Sequence, residues 1–357
     1  MGVFAGSRRL SEGSLDITRA MTGSLRGRVA SGLVWLALPM MPSAVAEVTY
    51  RVTFVDTDGL LAPWQAQIES HLLAAGALWS ERLLGNAELW IEVHPGAAAS
   101  DVPCRSFTWS YLETLDNAID VYETGASIHV RNGFPAATFD PDIIVEINPA
   151  FVENDLWFDP DPMARTETVD VARIDAVSQF VRALGRGFAF DGWINGIDGT
   201  YPGNSRSTFD RLLAFDGVDF YLNGANATGV YQTQIPMTFG NPFYVGNESP
   251  RPGVDLLGDV MNGMPLSRGV RYWVSDLDFA ILQDARVPIV LPCPCDLNHD
   301  ALIDDADFLA FTDAYDVYDC ADAAMPAGCP CDFNADAMVD DADYLIFFIS
   351  YEQLLCP

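Results

Sequence analysis

The sequence contains no lysine: all 19 of its basic side chains are arginine, set against 50 acids for a formal net charge of −31 over 357 residues. Such a charge excludes electrostatic attraction to nucleic acid or anionic lipid, since both are polyanions. Long apolar runs are scarce too. The one run of note, Val29 to Met41, is too short for a bilayer span and is broken by Pro39. Cysteine is sparse over most of the chain, with Cys104 alone upstream of residue 293. Core material is plentiful, at 50 % hydrophobic and 11 % aromatic, so the chain is not a disordered acidic polymer. Its length points to two domains or three.

Arg26 and Arg28 precede the apolar run, and Pro42, Ser43 and the small triplet Ala44-Val45-Ala46 follow it. This is the pattern of a secretory signal peptide over residues 1–46, with cleavage expected before Glu47. Met21 would open a signal of ordinary length. The expected product is secreted and extracellular, not inserted in a membrane after cleavage, and folds where disulfides persist. Removing five Arg and two acids with the signal leaves a charge of −34.

The remaining acid is uneven. Residues 293 to 357 carry 14 Asp, one Glu, no basic residue and six of the seven cysteines. A repeat with a period of 36 organises this segment: Cys295-Asp296-Leu297-Asn298-His299-Asp300 through Asp307 recurs as Cys331-Asp332-Phe333-Asn334-Ala335-Asp336 through Asp343. Oxygen donors at loop positions 1, 3, 5, 9 and 12, with a backbone carbonyl at 7, are what a hard cation takes from a 12-residue turn. The first loop supplies Asp296, Asn298, Asp300, Asp304 and Asp307, with the carbonyl of Leu302. The second supplies Asp332, Asn334, Asp336, Asp340 and Asp343, with the carbonyl of Met338. About two calcium ions are the expected cofactors. Ala301 and Ala337 stand at position 6, where Gly is usual, so backbone strain is expected there.

After each loop an apolar-faced helix begins, at Phe308-Leu309 with Phe311 and at Tyr344-Leu345 with Phe347-Phe348, and none enters the loop. Residues 291–357 thus resemble the dockerin-type repeat, paired loop-helix units that each bind one calcium, related to the EF-hand. The resemblance implies a small all-α module and a cohesin-like or cell-surface protein as partner. Positions 10 and 11, which often carry partner choice, are Asp305-Ala306 and Asp341-Ala342. The cysteines obey the same repeat: Cys293, Cys295 and Cys320 recur as Cys329, Cys331 and Cys356. Six cysteines allow about 15 pairings. The preferred expectation joins Cys295 to Cys320, Cys331 to Cys356 and Cys293 to Cys329.

Residues 47–290 form the main domain, read as α+β. Strands are expected at Val48 to Val55, Glu88 to Val93 and Asp142 to Ile147, with a polar region around Cys104 between the last two. Helices are expected over 63–84, 170–189 and 276–283. In the middle helix, Phe180-Val181-Arg182-Ala183-Leu184-Gly185-Arg186-Gly187-Phe188 resembles the active-site helix of zincin-type secreted metalloproteases. In that family two His at i and i+4 hold zinc and an intervening Glu activates water. Here Arg182 and Arg186 occupy the His positions, Ala183 the Glu position, and Gly192 the place of a third ligand. Asp259-Val260-Met261-Asn262-Gly263 resembles the Met-containing turn beneath the metal in metzincins, and the segment from Val274 to Asp278 resembles the closing element.

Two guanidinium groups would repel a dication and do not deprotonate, so no zinc is expected. The four histidines, His71, His94, His129 and His299, have no i, i+4 spacing to replace the ligands. Arg182 and Arg186 could grip a carboxylate or phosphate together, or pair with acids such as Asp191 or Asp198. The expected protein is therefore a secreted calcium-binding pseudoenzyme with no catalytic residues, acting in binding or scaffolding. The alternative is a secreted hydrolase of polysaccharide or peptide with a non-standard site, for which Glu146, Glu153, Asp191 and Asp198 are acid candidates.

Overall fold

The computed structural model describes residues 48–353 apart from 97–103, 117–118, 247–253, 291–294, 299–302, 323, 327–328 and 334–335. The signal-peptide segment 1–46 lies outside these residues. In chain order the elements are β1 (Val48–Phe54), α1 (Gln65–Ser80), β2 (Ala87–Pro95), β3 (Cys104–Phe107), β4 (Ser110–Asp116), β5 (Ile119–Thr124), α2 (Gly125–Asn132), β6 (Ile143–Ile147), α3 (Pro149–Asn154), β7 (Leu156–Trp157), β8 (Ile174–Asp175) and α4 (Ala176–Phe188). There follow β9 (Ser205–Ser207), β10 (Leu213–Phe215), β11 (Phe220–Leu222), α5 (Ala225–Tyr231), β12 (Ile235–Met237), α6 (Asp276–Asp284), α7 (Asp305–Val317) and α8 (Asp341–Gln353). The class is mixed α+β.

The principal sheet has the order β1-β2-β6-β3. β1, β2 and β6 run parallel, while β3 is antiparallel to β6, with Cys104 opposite Ile147 and Phe107 opposite Ile144. In β2, Leu89, Ile91 and Val93 alternate with more exposed residues, which is period-2 burial on one face. α1 and α4 pack on each other and against this sheet. Trp79 of α1 is fully buried, donates from Nε1 to the Val181 carbonyl of α4 at 3.0 Å and meets Phe188 and Phe279 edge-on. Two glycines let α4 approach its neighbours. A Cβ on Gly187 would lie 2.7 Å from Ile143 of β6, and one on Gly185 would lie 2.8 Å from the Met261 sulfur and 2.9 Å from Trp79.

Two expectations are corrected. The polar region around Cys104, in which no element was expected, carries β3, β4, β5 and α2. The middle helix begins at Ala176 rather than near residue 170, because Ile174 and Asp175 are held extended against Leu156 and Trp157. Asp175 then caps α4, its carboxylate accepting from the Ser178 N–H at 3.0 Å.

The described residues belong to one compact unit. Within it the buried apolar side chains fall into two clusters, one drawn from Val48 to Ile289 and the other from Cys295 to Phe347. The second holds equivalent residues of the repeat: Cys295 and Cys331, Ile303 and Val339, Phe311 and Phe347. Phe311 and Phe347 stack with ring centroids 4.9 Å apart. Among the described residues no helix is long and apolar enough to cross a membrane.

Candidate functional site

Two regions concentrate polar groups. In the repeat segment each 12-residue loop leaves a buried cysteine and ends in a helix. Position 9 is the N-cap, with Asp304 accepting from the Ala306 N–H and Asp340 from the Ala342 N–H, both at 2.8 Å. Position 12 is turned inward. Asp307 and Asp343 are fully buried. Asp307 Oδ1 accepts from the N–H groups of Leu297 at 2.7 Å and Asn298 at 3.1 Å, and its Oδ2 accepts from that of Asp304 at 2.9 Å. Asp343 repeats the arrangement, accepting from Phe333 at 2.7 Å and Asp340 at 3.0 Å. The position-12 carboxylate therefore ties the start of each loop to its end.

At position 1 of the second loop, the Asp332 carboxylate accepts from the N–H groups of Asp336 at 3.0 Å and Ala337 at 2.9 Å. The chain must curl over it, and Ala337 accordingly has φ +69°, the left-handed region expected to be costly for a residue with a Cβ. Asp296 at position 1 of the first loop is buried. Of the expected ligands, Asp296, Asn298, Asp304 and Asp307 are described in one loop and Asp332, Asp336, Met338, Asp340 and Asp343 in the other, but among the described residues neither loop brings three carboxylates within 4.8 Å of one another; the one such cluster is Cys320, Cys329 and Asp332. Asp300, Leu302 and Asn334, like Ala301, lie outside the described residues.

The cysteine expectation is overturned. Cys320 is bonded to Cys329, nine residues on, while Cys295 and Cys331 are buried thiols. Turns closed by Asp322 and Pro326 carbonyls fold the intervening segment back on itself, so the two sulfurs meet locally. Cys293 and Cys356 lie outside the described residues. Cys104 is also a buried thiol, and burial pushes it up to about 12.

The second region is a cavity of about 180 Å³ between β3 and α4, lined by Cys104, Arg105, Ser106, Gln179, Arg182, Ala183, Arg186, Asn241 and Tyr244. Arg182 is spent on the turn that follows Asp259: Nε donates to the Val260 carbonyl, Nη2 to that of Asn262 and Nη1 to that of Met264, at 2.7, 2.7 and 2.8 Å. Burial lowers its pKa, yet the guanidinium remains charged. Arg186 pairs with Asp191 through Nη2 at 2.8 Å. Both guanidinium groups lie over the Tyr244 ring, at 5.6 and 5.2 Å. Ala183 is buried, and at Gly192 a Cβ would strike the Asp210 carboxylate at 2.2 Å. That carboxylate instead clamps the backbone N–H groups of Trp193, Ile194 and Ser207.

Of the acid candidates, Glu146 is taken by Arg105 and Asp191 by Arg186, and Asp198 accepts from Thr200. Glu153 is exposed at the end of α3. The histidines do not converge on the cavity: His71 is buried against Phe158, His94 pairs with Glu92, and His129 pairs with Asp142 at 3.0 Å. His299 lies outside the described residues. Ser106 and Gln179 are members of the cavity that the sequence reading missed. For Ser106 the signal was the alternation of Cys104-Arg105-Ser106-Phe107, which marks an edge strand.

No family model, no curated protein and no solved structure matches this chain.

Proposed function

We propose that this is a secreted calcium-binding protein in which a catalytically degenerate metalloprotease-like domain, of zincin type, is followed by a dockerin-like module holding two calcium ions. The protein acts by binding or scaffolding rather than by hydrolysis. The observation that carries the calcium reading is the burial of Asp307 and Asp343, 36 residues apart, in a segment that contains no Arg or Lys. Burying a carboxylate is costly, and a bound dication beside the backbone N–H donors that Asp307 and Asp343 already accept from would offset that cost. Calcium suits the donor set, which is all oxygen. With Asp300, Leu302 and Asn334 added, each loop reaches the six or seven ligands that calcium takes.

For the main domain, support comes from the residues at the motif positions. Arg182 puts three of its donors on the carbonyls of residues 260–264. A cation thus stands where a zinc site would need neutral imidazole, and it holds the Met261 turn under α4. Partner binding is supported by the exposure of equivalent apolar residues on α7 and α8, Leu309 at 64 % and Leu345 at 61 %. A cohesin-like or cell-surface protein is the partner class.

Calorimetric titration of the chelator-stripped chain tests the reading. Two calcium ions should bind per chain, one in the Asp307→Ala variant and one in Asp343→Ala. Absence of saturable calcium binding at millimolar concentration would remove it.

A further inference from the structure

The cavity between β3 and α4 holds polar groups that the protein itself leaves unanswered. Among the described residues, Arg186 Nη1 and Ser106 Oγ are buried and have no hydrogen-bond partner. Gln179, 6 % exposed, also lines the cavity. Native proteins leave few buried polar groups unpaired, and two around one small cavity indicate a missing partner. Arg182 cannot supply that partner's site, because its guanidinium is already engaged by three carbonyls.

We propose that this cavity binds a small carboxylate of about amino-acid size, its charged end on Arg186 and Ser106 and an adjoining amide or hydroxyl on Gln179. The proposal rests on the reading of this cleft as a binding site without catalytic zinc. Sign and charge select the ligand class. One guanidinium, half answered by Asp191, offers a single positive charge, which suits a planar monoanion and not a phosphate dianion in so acidic a protein. Size sets the rest: at roughly 30 Å³ per water, 180 Å³ holds the volume of about six waters, or about ten heavy atoms. Gln179 lies seven residues before Arg186, two helical turns or about 10 Å along α4. A bare acetate cannot span that distance, whereas an acylated amino acid brings its amide toward the far end. Tyr244, beneath both guanidinium groups, forms the apolar floor.

The test is titration of the full chain, in calcium-replete and zinc-free buffer, with N-acetylalanine, its neutral methylamide, acetate, and N-acetyl-trialanine with a free carboxylate. N-acetylalanine should bind saturably and the methylamide at least about tenfold more weakly, the worth of a charge-assisted hydrogen bond. Arg186→Gln should weaken N-acetylalanine about tenfold, while Gln179→Leu should weaken N-acetylalanine about fivefold and leave acetate unchanged. Arg51→Gln, on β1, should change nothing. Trialanine binding as well as N-acetylalanine assigns a chain terminus as the source, and weaker binding assigns a free acid. Because Arg186→Gln also breaks the Asp191 pair, its fold is checked by thermal melt, and Gln179→Leu carries the test if it fails. No saturable binding of any probe, equal binding of the methylamide, or indifference to both variants would overturn the proposal. Those outcomes leave the metal reading standing; metal-dependent casein cleavage would instead remove the reading itself.

Discussion

Arg182 Nε donates to the carbonyl oxygen of Val260 at 2.7 Å, joining the middle of α4 to a turn 78 residues later. The same guanidinium holds the carbonyls of Asn262 and Met264, and Met261 fills the space that Gly185 leaves. Removing the cation would leave up to three carbonyls without their donor. Arg182→Ala is expected to destabilise the main domain by about 3 kcal/mol, and Arg182→Lys, a point charge without the planar fork, by about 2 kcal/mol. Urea unfolding followed by tryptophan fluorescence measures this domain selectively, because residues 293 to 357 contain no Trp.

Beneath the same turn lie two buried acids. Asp259 accepts from Ser275 Oγ at 2.8 Å, and Asp278 accepts from the Ser275 N–H at 2.9 Å. Burial raises both carboxyl groups above their ordinary range, and the Asp259 charge raises Asp278 further. A carboxyl raised in the folded state keeps its proton there, so its stabilising contribution is full below the unfolded value near 4 and is lost as pH rises through the folded one. The tryptophan-detected unfolding midpoint should therefore fall between mildly acidic and neutral pH. Asp278→Asn, which retains an acceptor for Ser275, should flatten that fall.

Ala337, with φ +69°, is strained where a glycine would not be. Ala337→Gly should stabilise the second loop by about 1 kcal/mol and tighten calcium there about fivefold. Differential calorimetry of the repeat-segment transition and calcium titration check the two effects separately.

The Cys320–Cys329 bond makes a mapping prediction. Trypsin cannot resolve it, since no Arg or Lys follows Arg286. Cleavage before aspartate, which cuts at Asp319, Asp322 and Asp332, should yield residues 319–321 joined to 322–331. Cys104, Cys295 and Cys331 are buried and their thiol pKa values are raised by burial, to about 12 for Cys104 and about 11 for Cys331. All three should resist alkylation in the native protein, and calcium removal should expose Cys295 and Cys331 but not Cys104.

The 36-residue repeat was legible because repetition fixes register, and register places Asp307 and Asp343 at equivalent positions in the first turns of α7 and α8, where both are buried. The strand of Val48, the strand ending at Ile147 and the helix at Asp276 were legible from their apolar periodicity. The helix start at Ala176 was not, because a pairing with Leu156 and Trp157 holds Ile174 and Asp175 extended, and such a contact leaves no local trace. Nor was the partner of Arg182 legible: the sequence offered nearby acids, and the structure uses carbonyls of a distant turn. The repeat also misled on the cysteines. A shared period makes Cys295 and Cys331 equivalent but says nothing about which sulfurs meet, and a tight turn through Asp322 and Pro326 brings Cys320 to Cys329.

The most direct test of the account is elemental analysis of the protein purified without chelators and dialysed to equilibrium against zinc-free buffer containing millimolar calcium, with the metal content of the dialysate subtracted. The account predicts about two calcium ions per chain and no stoichiometric zinc. One tightly held zinc per chain, or a folded repeat segment that retains no calcium, would contradict it.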